Sequence, residues 1–163
     1  MFVAAILDMD GVIIDSEPFH YEVNQRLFHE LGIIVTSGDY QSYIGVSHVD
    51  MWSDLKRRFG LPQAVAELVE MQVKGNEDYL RNHSFSPIDG IEELLRRLRR
   101  EGIPAGLASS SSMATIELVL AKLGLGSFFA AVTSAEEVIL GKPAPDIFLH
   151  TAAKMGVDPS RCN

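Results

Sequence analysis

Apolar residues along this chain follow two patterns that alternate. Phe2-Val3-Ala4-Ala5-Ile6-Leu7 is a short continuous apolar run, closed by Asp8 and by Asp10-Gly11. That is the pattern of a strand buried on both faces. From Asp15 to about Ser86 the spacing turns helical. Phe19, Val23, Leu27 and Leu31 recur every fourth residue, and Gly32 ends the series, which predicts a helix. Val49, Trp52, Leu55 and Phe59 predict a second helix up to Gly60. Residues 63–80 predict a third, interrupted at Gly75-Asn76. Pro87-Ile88-Asp89-Gly90 then marks a return to alternation. Ile91, Leu94, Leu95 and Leu98 predict a helix, and Ile103 to Ala108 a strand. Ala114 to Leu123 predicts a helix closed by Gly124, Phe129 to Thr133 a third strand, and Pro145 to Met155 a helix with proline near its first turn. Strands separated by helices at this spacing predict an α/β fold with a parallel sheet. The all-helical block reads as an insertion after the first strand. The expected domains are residues 1–14 with 87–163, and residues 15–86 as a helical cap. There is no internal repeat.

Composition acts by exclusion. The chain has 163 residues, 47% hydrophobic and 22% charged, enough apolar mass for a packed core. A net charge of −8 excludes a general affinity for nucleic acid or anionic membranes. The cluster Arg96-Arg97-Leu98-Arg99-Arg100 does not reverse this, because Glu92 and Glu93 lie four residues before Arg96 and Arg97 and pair with them on a solvated helix face. The single cysteine, Cys162, rules out an internal disulfide and fits a reducing compartment. The first apolar run lacks a basic leader and stops at Asp8, unlike a signal peptide. No run approaches a membrane span. A soluble cytoplasmic protein is expected.

The candidate chemistry lies at strand ends. Asp8 and Asp10 stand two residues apart where the first strand ends, and open parallel sheets bind ligands in the crevice at that edge. Two neighbouring carboxylates can divide attack and proton transfer between them. A calcium loop does not fit, since Val12-Ile13-Ile14 follow where oxygen ligands are needed. Ser109 closes the second strand as Asp8 closes the first, and the serine run offers a hydroxyl and backbone N–H groups to a phosphate. One of those serines is expected to cap the next helix instead. Lys142, in Gly141-Lys142-Pro143, can offset charge on a phosphate and a carboxylate nucleophile.

Together, Asp8-Met9-Asp10-Gly11-Val12, Ser109 and Lys142 resemble the three successive motifs of the haloacid dehalogenase superfamily. The strings Asp10-Gly11-Val12-Ile13-Ile14-Asp15-Ser16-Glu17 and Gly141-Lys142-Pro143-Ala144-Pro145-Asp146-Ile147-Phe148 resemble its subgroup of β-phosphoglucomutase and small sugar-phosphate phosphatases. The resemblance implies a Rossmann-like core with a helical cap. It also implies attack by Asp8 on phosphorus to form an aspartyl-phosphate, with proton transfer by Asp10. Ser109 and Lys142 would hold the phosphoryl group. Mg2+ would sit on the Asp8 carboxylate and the Asp10 carbonyl.

The cap is expected to set the substrate, a small phosphorylated sugar or similar metabolite. Glu17 and His20 stand at its entry, and Gly45-Val46-Ser47-His48 resembles the family's specificity loop. Gly11 and Ser110 complete the implied substrate contacts. In the mutase branch that loop reads Lys-Gly-Val-Ser-Arg, whereas Ile44 and His48 stand at the two basic positions here. A mutase holds a bisphosphate by its distal phosphate, so the loop favours a phosphatase. A sugar-phosphate mutase and a non-catalytic fragment that keeps the fold remain the alternatives.

The family's fourth motif, an acidic pair after a further strand, has no counterpart before Asn163. The expectation is therefore a core incomplete at its carboxyl end, impaired in turnover, with Phe2 to Leu7 forming an open sheet edge capable of self-association.

Overall fold

The computed structural model describes residues 2–162. Met1 and Asn163, the outer ends of the expected core, lie outside the described residues. The chain forms two compact units: residues up to Ser16 together with those from Ser84 onward, and Glu17–His83.

The first unit is built on three parallel strands in the order β1 (Ala5–Leu7), β2 (Ala105–Ser109) and β3 (Phe129–Ser134). Leu7 pairs with Leu107, and Ser109 with Ser134. Three helices accompany the sheet: α5 (Ile91–Arg100), α6 (Met113–Leu123) and α7 (Asp146–Lys154). β2 is the most deeply set strand, with all five residues buried, as an apolar strand between two neighbours must be. α7 packs on all three strands. It comes so close to β2 that a Cβ on Gly106 would stand 2.6 Å from Met155 Sδ and 2.7 Å from Thr151 Cγ2. The strand predicted from Ile103 begins two residues later. The Ile103 N–H closes the end of α5 by donating to the Leu98 carbonyl at 2.9 Å, after Gly102 has turned at φ 69°.

The edge of β1 is partly taken. Val3 N–H donates to the Arg161 carbonyl at 2.8 Å, and Ala4 bridges in parallel to Cys162. The exposed row of N–H and C=O groups anticipated along Phe2 to Leu7 is therefore shortened at its start.

The second unit is all helical. It comprises α1 (Glu17–Glu30), α2 (Ser37–Gln41), α3 (His48–Phe59) and α4 (Val65–Asn82). Its core gathers Phe28, Trp52, Leu55 and Leu68, each 1% exposed or less. α4 runs without a break through Gly75-Asn76, where the sequence predicted an interruption. Gly75 is there for packing: a Cβ would lie 2.8 Å from Val23 Cγ1 on α1. Close approach of two helices outweighs the propensity cost of a glycine in mid-helix. α2 was not anticipated, because five residues carry no apolar period. Its start is fixed by Thr36, whose hydroxyl accepts the Asp39 N–H at 3.1 Å.

Candidate active site

β1 delivers Asp8 at its carboxyl end, and the chain then folds back on itself. The N–H groups of Val12, Ile13 and Ile14 all donate to the Met9 carbonyl, at 3.3, 2.8 and 3.1 Å. Gly11 N–H donates to the Ile14 carbonyl at 2.8 Å. Gly11 sits at φ 72°, a conformation that glycine adopts without steric cost. Met9, Ile13 and Ile14 are buried and anchor the turn in the core. Asp8 and Asp10 alternate with Met9 and stay half-exposed. The period of two that buries Met9 thus turns both carboxylates outward.

Asp8 Oδ1 accepts the Met9 N–H at 2.7 Å and lies 2.7 Å from Lys142 Nζ. Lys142 also donates to the Ala108 carbonyl at 3.0 Å, and its ammonium stands 5.1 Å from the centre of the Phe148 ring. Its peptide bond to Pro143 is cis. Ala108 is the residue before Ser109, so Lys142 joins the ends of β1 and β2. The Lys142 and Asp8 side chains are 21% and 36% exposed, a setting in which an ion pair adds about 1 kcal/mol or less to stability. The pair matters for where it puts charge.

Ser109 is fully buried, and its Oγ accepts the Ser111 N–H at 3.1 Å. That contact curls the serine run over the sheet edge and leaves Ser110 exposed. The cap anticipated within the run falls to Ser112, whose hydroxyl accepts the Thr115 N–H at 3.2 Å at the head of α6.

Two residues that the sequence reading did not single out hold this loop in place. Ser134, paired with Ser109 across the sheet, donates its hydroxyl to the Ser111 carbonyl at 2.8 Å. Glu136 accepts the Met113 N–H at 3.0 Å. Their signal in the sequence was positional only: Ser134 ends a strand just as Ser109 does.

The donor set suits a magnesium-type cation. Asp8 and Asp10 offer hard carboxylate oxygens, and the turn bonds run through the Met9 and Ile14 carbonyls, leaving the Asp10 carbonyl out of them. Among the described residues no three His, Cys, Asp or Glu side chains gather as a ready-made metal cluster. Magnesium does not require one, since it is held by one or two carboxylates, water and substrate phosphate.

In the helical unit, Glu17, His20, Gly45 and His48 line one small pocket of about 70 Å³. The His20 and His48 rings meet edge-on at 6.1 Å. Ser47 is not among the lining residues. It caps α3, accepting the Asp50 N–H at 3.1 Å and donating to Asp50 Oδ2 at 2.7 Å. Asn24, Tyr40 and Gln72 complete a polar wall that the sequence reading missed, because they sit within helices otherwise read as apolar periods.

Residues 2–162 match the family of haloacid dehalogenase-like hydrolases. Hexitol phosphatase B of Escherichia coli strain K12 is 33% identical over 164 residues, which are 98% of this chain and 72% of that protein. Beta-phosphoglucomutase of Bacillus subtilis strain 168 is 32% identical over 165 residues, covering 98% and 72%. Among solved structures, a conserved haloacid dehalogenase-like protein of Agrobacterium tumefaciens superposes with a TM-score of 0.80 at 31% identity, over 99% of this chain and 72% of its own. An aspartate pair, a buried serine and a lysine gathered at the carboxyl edge of a parallel sheet thus agree with similarity over 98% of this chain, and the chain belongs to the haloacid dehalogenase-like hydrolases.

Proposed function

We propose that this chain is a magnesium-dependent phosphatase of small phosphorylated sugars or polyols, working through an aspartyl-phosphate on Asp8. The observation that carries this reading is the Lys142–Asp8 contact of 2.7 Å at the strand ends. A carboxylate is a poor partner for a phosphate because both are anions. An ammonium fixed against that carboxylate, with Ser109 beside it, offsets the repulsion where the new bond forms. The Asp8 carboxylate and the Asp10 carbonyl would hold Mg2+, which when bound adds further positive charge against the phosphoryl oxygens.

In the first step Asp8 Oδ attacks phosphorus, the P–O bond to the sugar breaks, and Asp10 gives its proton to the leaving oxygen. In the second, Asp10 takes a proton from a water whose oxygen attacks phosphorus, releasing inorganic phosphate and regenerating Asp8. Lys142 and the Ser109 hydroxyl hold phosphoryl oxygens throughout. By definition a phosphatase passes the phosphoryl group to water, whereas a mutase passes it to a sugar phosphate. Ile44 and His48 in the loop, and a pocket whose lining residues include no Lys or Arg, favour water over a second sugar phosphate.

The test is phosphate release from a panel of sugar and polyol monophosphates, with Mg2+ and with a chelator, for the wild type and Asp8→Asn. The expected result is metal-dependent release that Asp8→Asn abolishes. Undiminished release by Asp8→Asn, or an absolute requirement for a sugar bisphosphate, overturns the reading.

A further inference from the structure

The first unit has a second opening, at the end of the sheet away from Asp8. Ala105 begins β2 and pairs with Ala5 at the start of β1, so the length of the strands separates this end from the carboxyl edge. Between the start of β2, the end of α5 and the turn Gly126–Phe128 runs a groove of about 400 Å³. Small-molecule sites span roughly 300–1,000 Å³. The floor is apolar: Leu95, Leu98 and Ala105 line it, each 6% exposed or less. Arg99 is the one charged side chain in the lining, and no carboxylate faces it there. Its guanidinium lies 4.1 Å from the centre of the Phe128 ring, and its Nη2 donates to the Ser127 carbonyl at 2.5 Å. Its Nε and Nη1 donate to nothing among the described residues.

A ring and a neutral carbonyl hold this guanidinium in place without cancelling its charge. Its neighbours on α5 differ: Arg96 is paired with Glu92 and Arg97 with Glu101. Among the described residues neither Arg99 nor Arg100 is in an ion pair. A cation in the last turn of a helix offsets the helix dipole, but that role needs neither a ring beneath the guanidinium nor a groove beside it. A planar fork with unused N–H groups matches a carboxylate or sulfonate. The apolar floor favours an apolar body, which leaves water there. A cationic ligand meets repulsion from Arg99, and a polyol leaves the floor without apolar contact. We propose that this groove binds a small anionic amphiphile, with its apolar body on Leu95, Leu98 and Ala105 and its acid group on Arg99. The proposal stands apart from the phosphatase reading, because no residue of the groove belongs to the strand-end site.

The probe is 1-anilinonaphthalene-8-sulfonate, an apolar anion whose emission rises when it leaves water. Its control is N-phenyl-1-naphthylamine, the same rings without the sulfonate. The wild type is expected to bind the sulfonate at one saturable site, and more tightly than the amine. Arg99→Gln should weaken sulfonate binding about tenfold, the worth of a charge-assisted hydrogen bond, and leave the amine unchanged. Decanoate should displace the sulfonate, and decyltrimethylammonium should not. Lys142→Met should bind the sulfonate as the wild type does, which separates the groove from the strand-end site. If Arg99→Gln does not fold, as judged by circular dichroism, Arg99→Met takes its place. It keeps an apolar stem over Phe128, a favourable sulfur–aromatic contact, and removes the charge. Sulfonate affinity left unchanged by the Arg99 variant, an equal loss for sulfonate and amine, or binding lost in Lys142→Met overturns the inference.

Discussion

Lys142 Nζ lies 2.7 Å from Asp8 Oδ1 and donates to the Ala108 carbonyl at 3.0 Å, so one ammonium links the acid after β1 to the residue before Ser109 on β2. Asp8 and Ala108 are far apart in the chain, and the parallel pairing of β1 with β2 is what brings them within reach of one side chain. Replacing Lys142 by Met keeps the length of the stem and removes the charge. Removing a preorganised charge from a developing transition state typically costs about 10²–10³ in rate, so kcat/KM for a phosphomonoester should fall by that order. The urea midpoint should move little, because partly exposed pairs contribute about 1 kcal/mol or less.

Asp8 and Asp10 should separate kinetically. Asp8→Asn removes the nucleophile and should abolish turnover. Asp10→Asn removes only proton transfer and should lower kcat by about 10²–10⁴. That loss should shrink for esters with good leaving groups, such as an aryl phosphate, which need no proton. The comparison of sugar and aryl phosphates for the two variants checks the division of roles.

Ser134 is expected to act on the site through Ser111. Ser134→Ala loses the hydroxyl bond to the Ser111 carbonyl and the one it accepts from Glu136 N–H at 3.1 Å. Each such bond is worth about 1 kcal/mol. The variant should show a raised KM together with a modest loss in the denaturation midpoint. An unchanged KM would mean that the serine loop holds its shape without this tie.

Gly75→Ala sets two effects against each other. Alanine favours a mid-helix position by about 1 kcal/mol over glycine. Its methyl would meet Val23 Cγ1 at 2.8 Å, closer than carbon atoms pack, so the buried, β-branched Val23 must shift. Overpacking of this kind costs about 1–3 kcal/mol, so the net change should be destabilising. Chemical denaturation followed by Trp52 emission measures it directly in the helical unit.

Glu137 ties stability to acid. The Lys154 ammonium, 2.9 Å from Oε2, is the main cause that holds its carboxyl below the ordinary value of 4.5, with the Ser134 N–H helping. A lowered folded-state pKa contributes stability that is complete above about 4.5 and lost as pH falls below it, through the folded value. Glu137→Gln should therefore lower the denaturation midpoint at pH 7, and the difference from wild type should vanish as the pH is taken well below 4.5. A difference that persists unchanged in acid would assign the effect to packing.

Much of the fold was legible because it depends on neighbours in sequence. The runs around Ile6, Leu107 and Val132 read as strands, and Gly32, Gly60 and Gly124 ended their helices where expected, all three at φ 67–68°. The misses lay where distant contacts decide. The break predicted at Gly75 gave way to helix–helix packing. Residues 103–104 fell outside β2, because Ile103 is engaged with the end of α5. α2 was too short to show a period.

The sequence by itself determined the chemistry on offer: Asp8 and Asp10 two apart after an apolar run, a serine and a lysine after later strands, and no cation at the loop positions of Ile44 and His48. Those are local properties of spacing and residue type. Only the tertiary structure decided which groups meet. Strand pairing put Asp8 beside the end of β2 and Ser134 on the serine loop, and the loop before α7 brought Lys142 to Asp8. The fold spent the Ser47 hydroxyl on a cap while leaving Arg99 Nε and Nη1 without a partner among the described residues. Hydrogen-bond satisfaction is settled among residues far apart in the chain, so which polar groups are spent, and which are left for a ligand, is written only in the fold.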